Sequence, residues 1–364
     1  MSVACGIVGL PNVGKSTIFN AITAAGAESA NYPFCTIEPN IGIVDVPDER
    51  LEIIRVHIES QKIIPAALKI VDIAGLVAGA SQGEGLGNKF LANIKEVDAV
   101  MHVVRCFKKG DVVHVHGEVD PKKDIEVIEL ELGLADLETL GRNIERVSKK
   151  ARSGDKESLA QKAVFERAKE LLEAGTLLRT VEWKDSERAL LKPLFLLTMK
   201  PVLFVANVGD DDMDGESPEV AAVRDYAEST GCEVVALCGD IEGELMSMDP
   251  ADRGEFLADL GLSEPGLHRL IRKAYSLLGL QTFFTAGPKE IRAWTIHKGD
   301  TGPKAAGVIH TDFEKGYIRA EVYSVDDLVV YKTEAAIKAA GKLRVEGRDY
   351  KMRESDVAHF LVGN

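Results

Sequence analysis

Cysteine is scarce and scattered: five residues at positions 5, 35, 106, 232 and 238, an odd number with no Cys-x-x-Cys pair. That excludes a disulfide frame and a zinc knuckle and fits a reduced, cytosolic compartment. Long apolar runs are also lacking, and none approaches the length a bilayer demands. No basic stretch precedes the first apolar residues, which run straight into a glycine-rich turn, so a signal peptide is not expected. Positive charge is in deficit. Lysine and arginine number 44 against 58 acids, a formal net charge of −14, which argues against a surface that grips nucleic acid all over while leaving room for local basic patches. With 45% hydrophobic and 28% charged residues over 364 positions, the chain has the composition of a soluble protein of two or three domains.

The strongest positive signal follows the strand-like run Val3 to Val8. It reads Gly9-Leu10-Pro11-Asn12-Val13-Gly14-Lys15-Ser16, the Gly-x4-Gly-Lys-Ser phosphate loop. Backbone N–H groups of such a turn close on phosphate oxygens, and the N-terminus of the next helix adds partial positive charge. Lys15 is placed to reach the β- and γ-phosphates and the Ser16 hydroxyl to meet Mg²⁺. An accidental glycine-rich turn is the alternative; the β-branched run before it and the helical spacing of Ile18, Ala21, Ile22 and Ala25 after it argue against that.

Alternating strands and helices up to about residue 117, with apolar strands at Val3–Val8, Leu68–Val71 and Ala99–Val104, predict an α/β fold with a mostly parallel sheet. From 119 to 199 glycine thins and charge rises. Leu130, Leu134, Leu137 and Ile144 form a seam for one long helix, Ser153-Gly154-Asp155 breaks it, and Leu159, Ala163, Val164, Ala168 and Leu171 mark a second. This antiparallel pair is either a packing hairpin or an arm that touches a partner; Lys149, Lys150 and Arg152 near its tip would suit phosphates. Strand character returns at Pro201–Ala206 and Glu233–Leu237, making the helical stretch an insertion. Residues 281–364 read as a small α+β module with strands at Ile291–Ile296, Tyr317–Tyr323 and Asp349–Met352 and a helix near Thr333–Gly341. Its 13 basic and 12 acidic residues nearly cancel.

Further chemistry sits downstream of the phosphate loop. Leu68–Asp72 is an apolar strand ending in a carboxylate, followed by Ile73-Ala74-Gly75; Asp-x-x-Gly here lets Asp72 hold a Mg²⁺-bound water and Gly75 offer its N–H to the γ-phosphate. Thr36, on the loop between the two motifs, is placed to complete the Mg²⁺ shell. Leu76 stands where a water-orienting glutamine is found in Ras-like enzymes, so another group must position water or turnover must be slow. The glycine-rich stretch Gly79–Asn88 is either a switch that orders with ligand or a plain loop. His114 and His116 are loop histidines, either of which could orient water or be inert. For the base, guanine readers carry Asn-Lys-x-Asp and Ser-Ala-Lys. This chain has Asn207-Val208-Gly209-Asp210 and Cys238-Gly239-Asp240. The lost lysine weakens a guanine cage, yet Asp210 retains acceptors that adenine N1 would repel; the residues leave the base open.

Together these motifs resemble the YchF or Obg-like ATPase family, related to translation-factor P-loop GTPases. The resemblance spans the chain, including the Asn31–Asn40 loop, Gly83–Asn88, and His310–Gly316 near the end, which looks like part of a ubiquitin-like β-grasp (TGS) module. It implies a P-loop nucleotide-binding domain at 1–118 and 200–280, a helical (coiled-coil) insertion at 119–199 and a TGS domain at 281–364. It also implies ATP preferred over GTP, slow intrinsic hydrolysis, and a cytoplasmic, monomeric regulator that meets ribosome or RNA through the hairpin and TGS module, without membrane. The implied site has Lys15 and His114 in catalysis. Asn12, Val13, Gly14, Ser16, Thr17, Gly75, Asn207, Val208, Asp210 and Cys238 surround the nucleotide, and Ser16, Thr36 and Asp72 (through water) surround Mg²⁺. Asn12 matches a K⁺ ligand of potassium-dependent relatives. Asp210 departs from the family, which usually has glutamate there. A true GTPase of the same build, and a nucleotide-gated ribosome-binding protein with incidental hydrolysis, are the rival readings; a P-loop kinase lacks an evident acceptor site.

Overall fold

The computed structural model describes residues 3–27, 40–73, 86–108, 119–152 and 154–363. They divide into two compact units, Met1–Gly42 with Lys69–Leu270, and Ile43–Leu68 with Ile271–Asn364. Twelve strands are described: β1 (Ala4–Val8), β2 (Ile41–Asp45), β3 (Ile63–Ile64), β4 (Ala67–Asp72), β5 (Ala99–Arg105), β6 (Val202–Asn207), β7 (Glu233–Leu237), β8 (Leu280–Ala286), β9 (Ile291–His297), β10 (Tyr317–Ser324), β11 (Arg344–Glu346) and β12 (Asp356–Val362).

The first sheet has the order β2-β4-β1-β5-β6-β7. β1 pairs in parallel with β4 and β5, β5 with β6, and β6 with β7. Every residue of β1, β5 and β6 is buried, the pattern of parallel strands covered on both faces. β2 is not among the strands the sequence pattern predicts: it is five residues long, half-buried, and interrupted by Gly42, which leaves little apolar signal.

The insertion is two helices, Pro121–Ala151 and Lys156–Glu173. Asp120 caps the first by accepting from Lys123 N at 3.1 Å, with Pro121 at its first turn, and Asp155 caps the second by accepting from Ser158 N at 3.0 Å. Gly154 between them takes a φ of 81°, which glycine accepts without strain. So short a connection makes the packed pair antiparallel. Leu140, Val147, Phe165, Ala168 and Leu172 form their shared core, joined by Trp183 and Leu191 from the following segment. The inward face of the long helix differs from the leucine seam that the sequence predicts. Leu137 and Ile144 pack against that core, but Leu130 and Leu134 are 63% and 52% exposed. The stripe that buries the base of the long helix is Ile125, Ile128 and Leu132 instead. Leu159 of the second helix likewise faces out, and Phe165 takes the inner position. Asp136, buried, fastens the long helix to the segment entering β6 by accepting from Leu197 N and Thr198 N, both at 2.8 Å, and from Thr198 Oγ1 at 2.7 Å. Burial pushes its carboxyl up, and these donors oppose the shift.

The second sheet has the order β11-β10-β12-β8-β9-β3. β8 and β9 form an antiparallel hairpin, β12 lies parallel to β8, and β10 runs antiparallel to β12 and β11. With helix Gly302–Ile309 between β9 and β10, the five C-terminal strands have the β-grasp order implied by the resemblance. Asp349–Met352 is not a strand. It is a turn with one isolated bridge, Thr301 to Lys351, and its Met352 plugs the core. β11 and β3 are its two edges. Residues 43–68 belong to this unit because β3 pairs in parallel with β9 and helix Arg50–His57 packs on β9 and on helix Val325–Tyr331. Among the described residues, no helix is long and apolar enough to cross a membrane.

Removing the Asp136 carboxylate leaves two buried N–H groups without acceptors. Asp136→Ala is expected to lower the unfolding free energy by roughly 2–4 kcal/mol, and Thr198→Val, which removes one donor, by about 1 kcal/mol. Urea midpoints equal to wild type in both variants would discard this tie.

Candidate functional site

The site is assembled at one end of the first sheet. β1 delivers the chain to Gly9, where an added Cβ would stand 2.8 Å from Val103 O and 2.9 Å from Val13 Cγ2. The turn then takes two left-handed residues, Asn12 (φ 63°) and Gly14 (φ 87°). Ile18 N bonds Gly14 O at 3.0 Å and closes the first turn of helix Lys15–Ala27. Ile18 and Ile22 anchor that helix in the core, while Ser16 stays exposed at its N-terminus.

Parallel pairing of β1 with β4 sets Ile7 opposite Asp72, which brings the Asp72 carboxylate to the level of the loop. There Lys15 Nζ forms an ion pair with Asp72 Oδ1, both side chains being mostly buried. The phosphate-loop cation and the strand-end carboxylate are therefore brought together, 57 residues apart in sequence.

Asn207 closes the site from the other side. It ends β6, is 4% exposed, and spends both halves of its carboxamide on backbone. Nδ2 donates to Val13 O at 2.9 Å, and Oδ1 accepts from Gly239 N at 2.9 Å. One side chain thus fastens the phosphate loop to the loop after β7. The fit is tight, since a Cβ on Gly14 would come within 2.0 Å of Asn207 Nδ2. Val208 is buried and its N–H is committed to Leu237 O at 3.0 Å. Cys238 is buried at the N-cap of helix Gly239–Ser247, and burial pushes its thiol up, so it stays a neutral packing group. Thr17 lies beside Gly239, whose added Cβ would stand 3.6 Å from Thr17 Cγ2. Asp210 is exposed. Thr36, Gly75, Leu76 and His114 lie outside the described residues.

One functional residue is absent from the sequence-level picture. Arg105, at the end of β5 and only 2% exposed, stacks over the Phe107 ring at 4.5 Å, donates to Phe107 O at 3.2 Å, and points Nη1 at Asn12 O, 3.5 Å away. Burial lowers its pKa, and Asp124 counters the shift. It buttresses the loop from behind. The available signal is a charge closing the otherwise apolar run Ala99–Val104.

The hydroxyl of Ser16 and the carboxylate of Asp72 are hard oxygen donors of the kind Mg²⁺ takes; Ser16 follows Lys15 in the chain and Asp72 pairs with its Nζ. Among the described residues, no cluster of three or more His, Cys, Asp or Glu side chains is present.

Comparison with known proteins fits this geometry. The chain is 52% identical over 360 residues to a protein of Pasteurella multocida named ribosome-binding ATPase YchF, covering 99% of each. The chain belongs to the YchF family. Proteins of the same name from Escherichia coli O157:H7 and Bacillus subtilis are 52% and 51% identical, again over 99% of each chain. The solved YchF GTPase of Schizosaccharomyces pombe superposes with a TM-score of 0.91 at 37% identity, covering 99% of this chain and 98% of that one. Residues 4–137 match the profile described as 50S ribosome-binding GTPase, and residues 280–363 the YchF-GTPase C-terminal profile, described as a protein of unknown function. The family is one of P-loop nucleoside triphosphatases, and the fold expected from the sequence is the fold observed.

Asn207→Ala would leave Gly239 N and Val13 O unpaired in a buried setting. It is expected to weaken nucleotide binding by about 10- to 100-fold in a fluorescent-nucleotide titration, with a lowered thermal midpoint. Gly14→Ala should do at least as much, and undiminished affinity in both variants would show the strap to be dispensable.

Proposed function

We propose that this chain is a Mg²⁺-dependent nucleoside triphosphatase that prefers ATP, turns over slowly alone, and works in the cytoplasm as a monomeric, ribosome-associated regulator. The observation that carries the reading is the convergence of Lys15 and Asp72 at a phosphate loop held in shape by Asn207. The relatives' shared name, ribosome-binding ATPase, supports the ribosome and ATP parts.

Backbone N–H groups of Asn12–Thr17 receive the phosphates, and Lys15 leaves Asp72 to pair with the β- and γ-phosphates as charge builds on the transferring group. Ser16, Thr36 and, through water, Asp72 would hold Mg²⁺. Mg²⁺ supplies neutralisation of phosphate charge when bound; K⁺ at Asn12 would add to it. Gly75 offers its N–H to the γ-phosphate, and His114 orients the attacking water in place of the glutamine that Leu76 replaces. The base lies against Asn207 and Val208. With the Val208 N–H already engaged, its carbonyl is the group left to accept from the exocyclic amine of adenine, whereas the guanine O6 at that edge would be repelled. The absence of a lysine at 208 points the same way. The basic end of the helical arm and the C-terminal TGS module would meet ribosomal RNA.

Two observations favour a true GTPase instead: Asp210 keeps the carboxylate that guanine readers use, and the solved S. pombe relative is named a GTPase. Calorimetric competition between ATP and GTP, in K⁺ and then Na⁺, separates the two. ATP is expected to bind about tenfold or more tightly than GTP, and tighter GTP would overturn the ATP assignment. Lys15→Ala should abolish turnover in either case; persistent hydrolysis would remove the phosphate loop from the mechanism.

A further inference from the structure

The two leucines that the helical seam misassigns line a groove. Leu130 and Leu134, one turn apart on helix Pro121–Ala151, face an apolar trough of about 310 Å³ with Leu137, Leu172, Leu177 and Tyr226. Gly133 lies in its floor, where an added Cβ would touch nothing, so another backbone can approach closely. Tyr226 is held in place by donating its hydroxyl to Glu129, which also pairs with the buried Arg179. Two adjacent leucines half or more exposed beside a preformed trough are the mark of a contact surface.

Charge identifies the occupant. Residues 121–139 of the long helix carry six acids and two lysines, and the tip half, 140–152, carries five basic residues and one acid. Helix Pro218–Ser229, which bears Tyr226, adds three acids against one arginine. The arm is therefore polarised. Its tip suits phosphate, and its base offers an apolar floor in an acidic setting that repels RNA. We propose that this groove docks a basic, leucine-bearing amphipathic helix of a ribosomal protein, seated as a helix in a groove while the tip meets RNA. The identity of the partner rests on the ribosome reading above; the chemistry of the groove does not.

The test uses the full chain and Leu130→Ser/Leu134→Ser, which alters only exposed side chains. The first arm measures binding of a labelled leucine–lysine amphipathic peptide by anisotropy. Wild type is expected to hold it about tenfold more tightly than the double variant, and equal affinities overturn the groove. The second arm is cosedimentation with intact ribosomes and with protein-free ribosomal RNA. The double variant should lose about tenfold on ribosomes and nothing on RNA, with unchanged nucleotide turnover. Equal loss on RNA overturns the proposal in favour of an RNA surface. A wild-type dimer in sedimentation that the variant splits overturns it in favour of a second copy. Failure of wild type to sediment with ribosomes, with peptide discrimination intact, removes the ribosomal partner and leaves the groove.

Discussion

The Asn207 carboxamide is the constraint on which the nucleotide end of the molecule depends. Its two hydrogen bonds reach backbone 194 and 32 residues away, joining the phosphate loop to the loop after β7 through the end of β6. A buried amide with one acceptor and one donor satisfied by main chain contributes on the order of 1–3 kcal/mol against the unpaired alternative. Its larger effect is on shape. A loop with residues at φ 63° and 87° has many alternatives in isolation, and the strap selects one, aided by Arg105 behind Asn12. In the proposed mechanism, Lys15 is thereby held where it exchanges one anionic partner for another. Asp72 keeps the cation oriented in the free chain and limits the cost of burying it.

The helical arm is organised on a different principle. Its inner face is a conventional apolar core around Phe165 and Trp183, and its base is fixed by the Asp136 carboxylate. Its outer face is left unpaid for by the fold itself, apolar and acidic near the sheet, basic at the far end. On the docking proposed above, such a division would separate two kinds of partner along one helix pair whose longer limb has 31 residues.

Legibility in the sequence followed locality. The phosphate loop is readable because its chemistry is contained in eight consecutive residues, Gly9–Ser16. The strands β1, β5 and β6 are readable because burial on both faces demands continuous apolar runs. Asn207 is visible as a motif residue, but its strapping role is not, because both bonds are long-range. Arg105 is hidden for the same reason. Periodicity correctly marks one long helix, yet cannot say which of two apolar stripes faces inward; Leu130 and Leu134 look like core and are not, while Ile125, Ile128 and Leu132 carry the burial. Asp349–Met352 mimics a strand because Tyr350 and Met352 alternate with charge, whereas the chain there turns to push Met352 into the core.

The chain enters the C-terminal unit twice. Residues 43–68 leave after the start of β2, lay helix Arg50–His57 and β3 against β9, and return to finish β4, whose last residue is Asp72. Neither unit is a contiguous stretch of polypeptide. Cutting the gene at position 280 would strip β3 of its neighbour and expose Leu51 and Ile54, so the β-grasp portion cannot be deleted or transplanted as a tail. Shortening the protein would require re-routing the very segment that leads to the site's carboxylate.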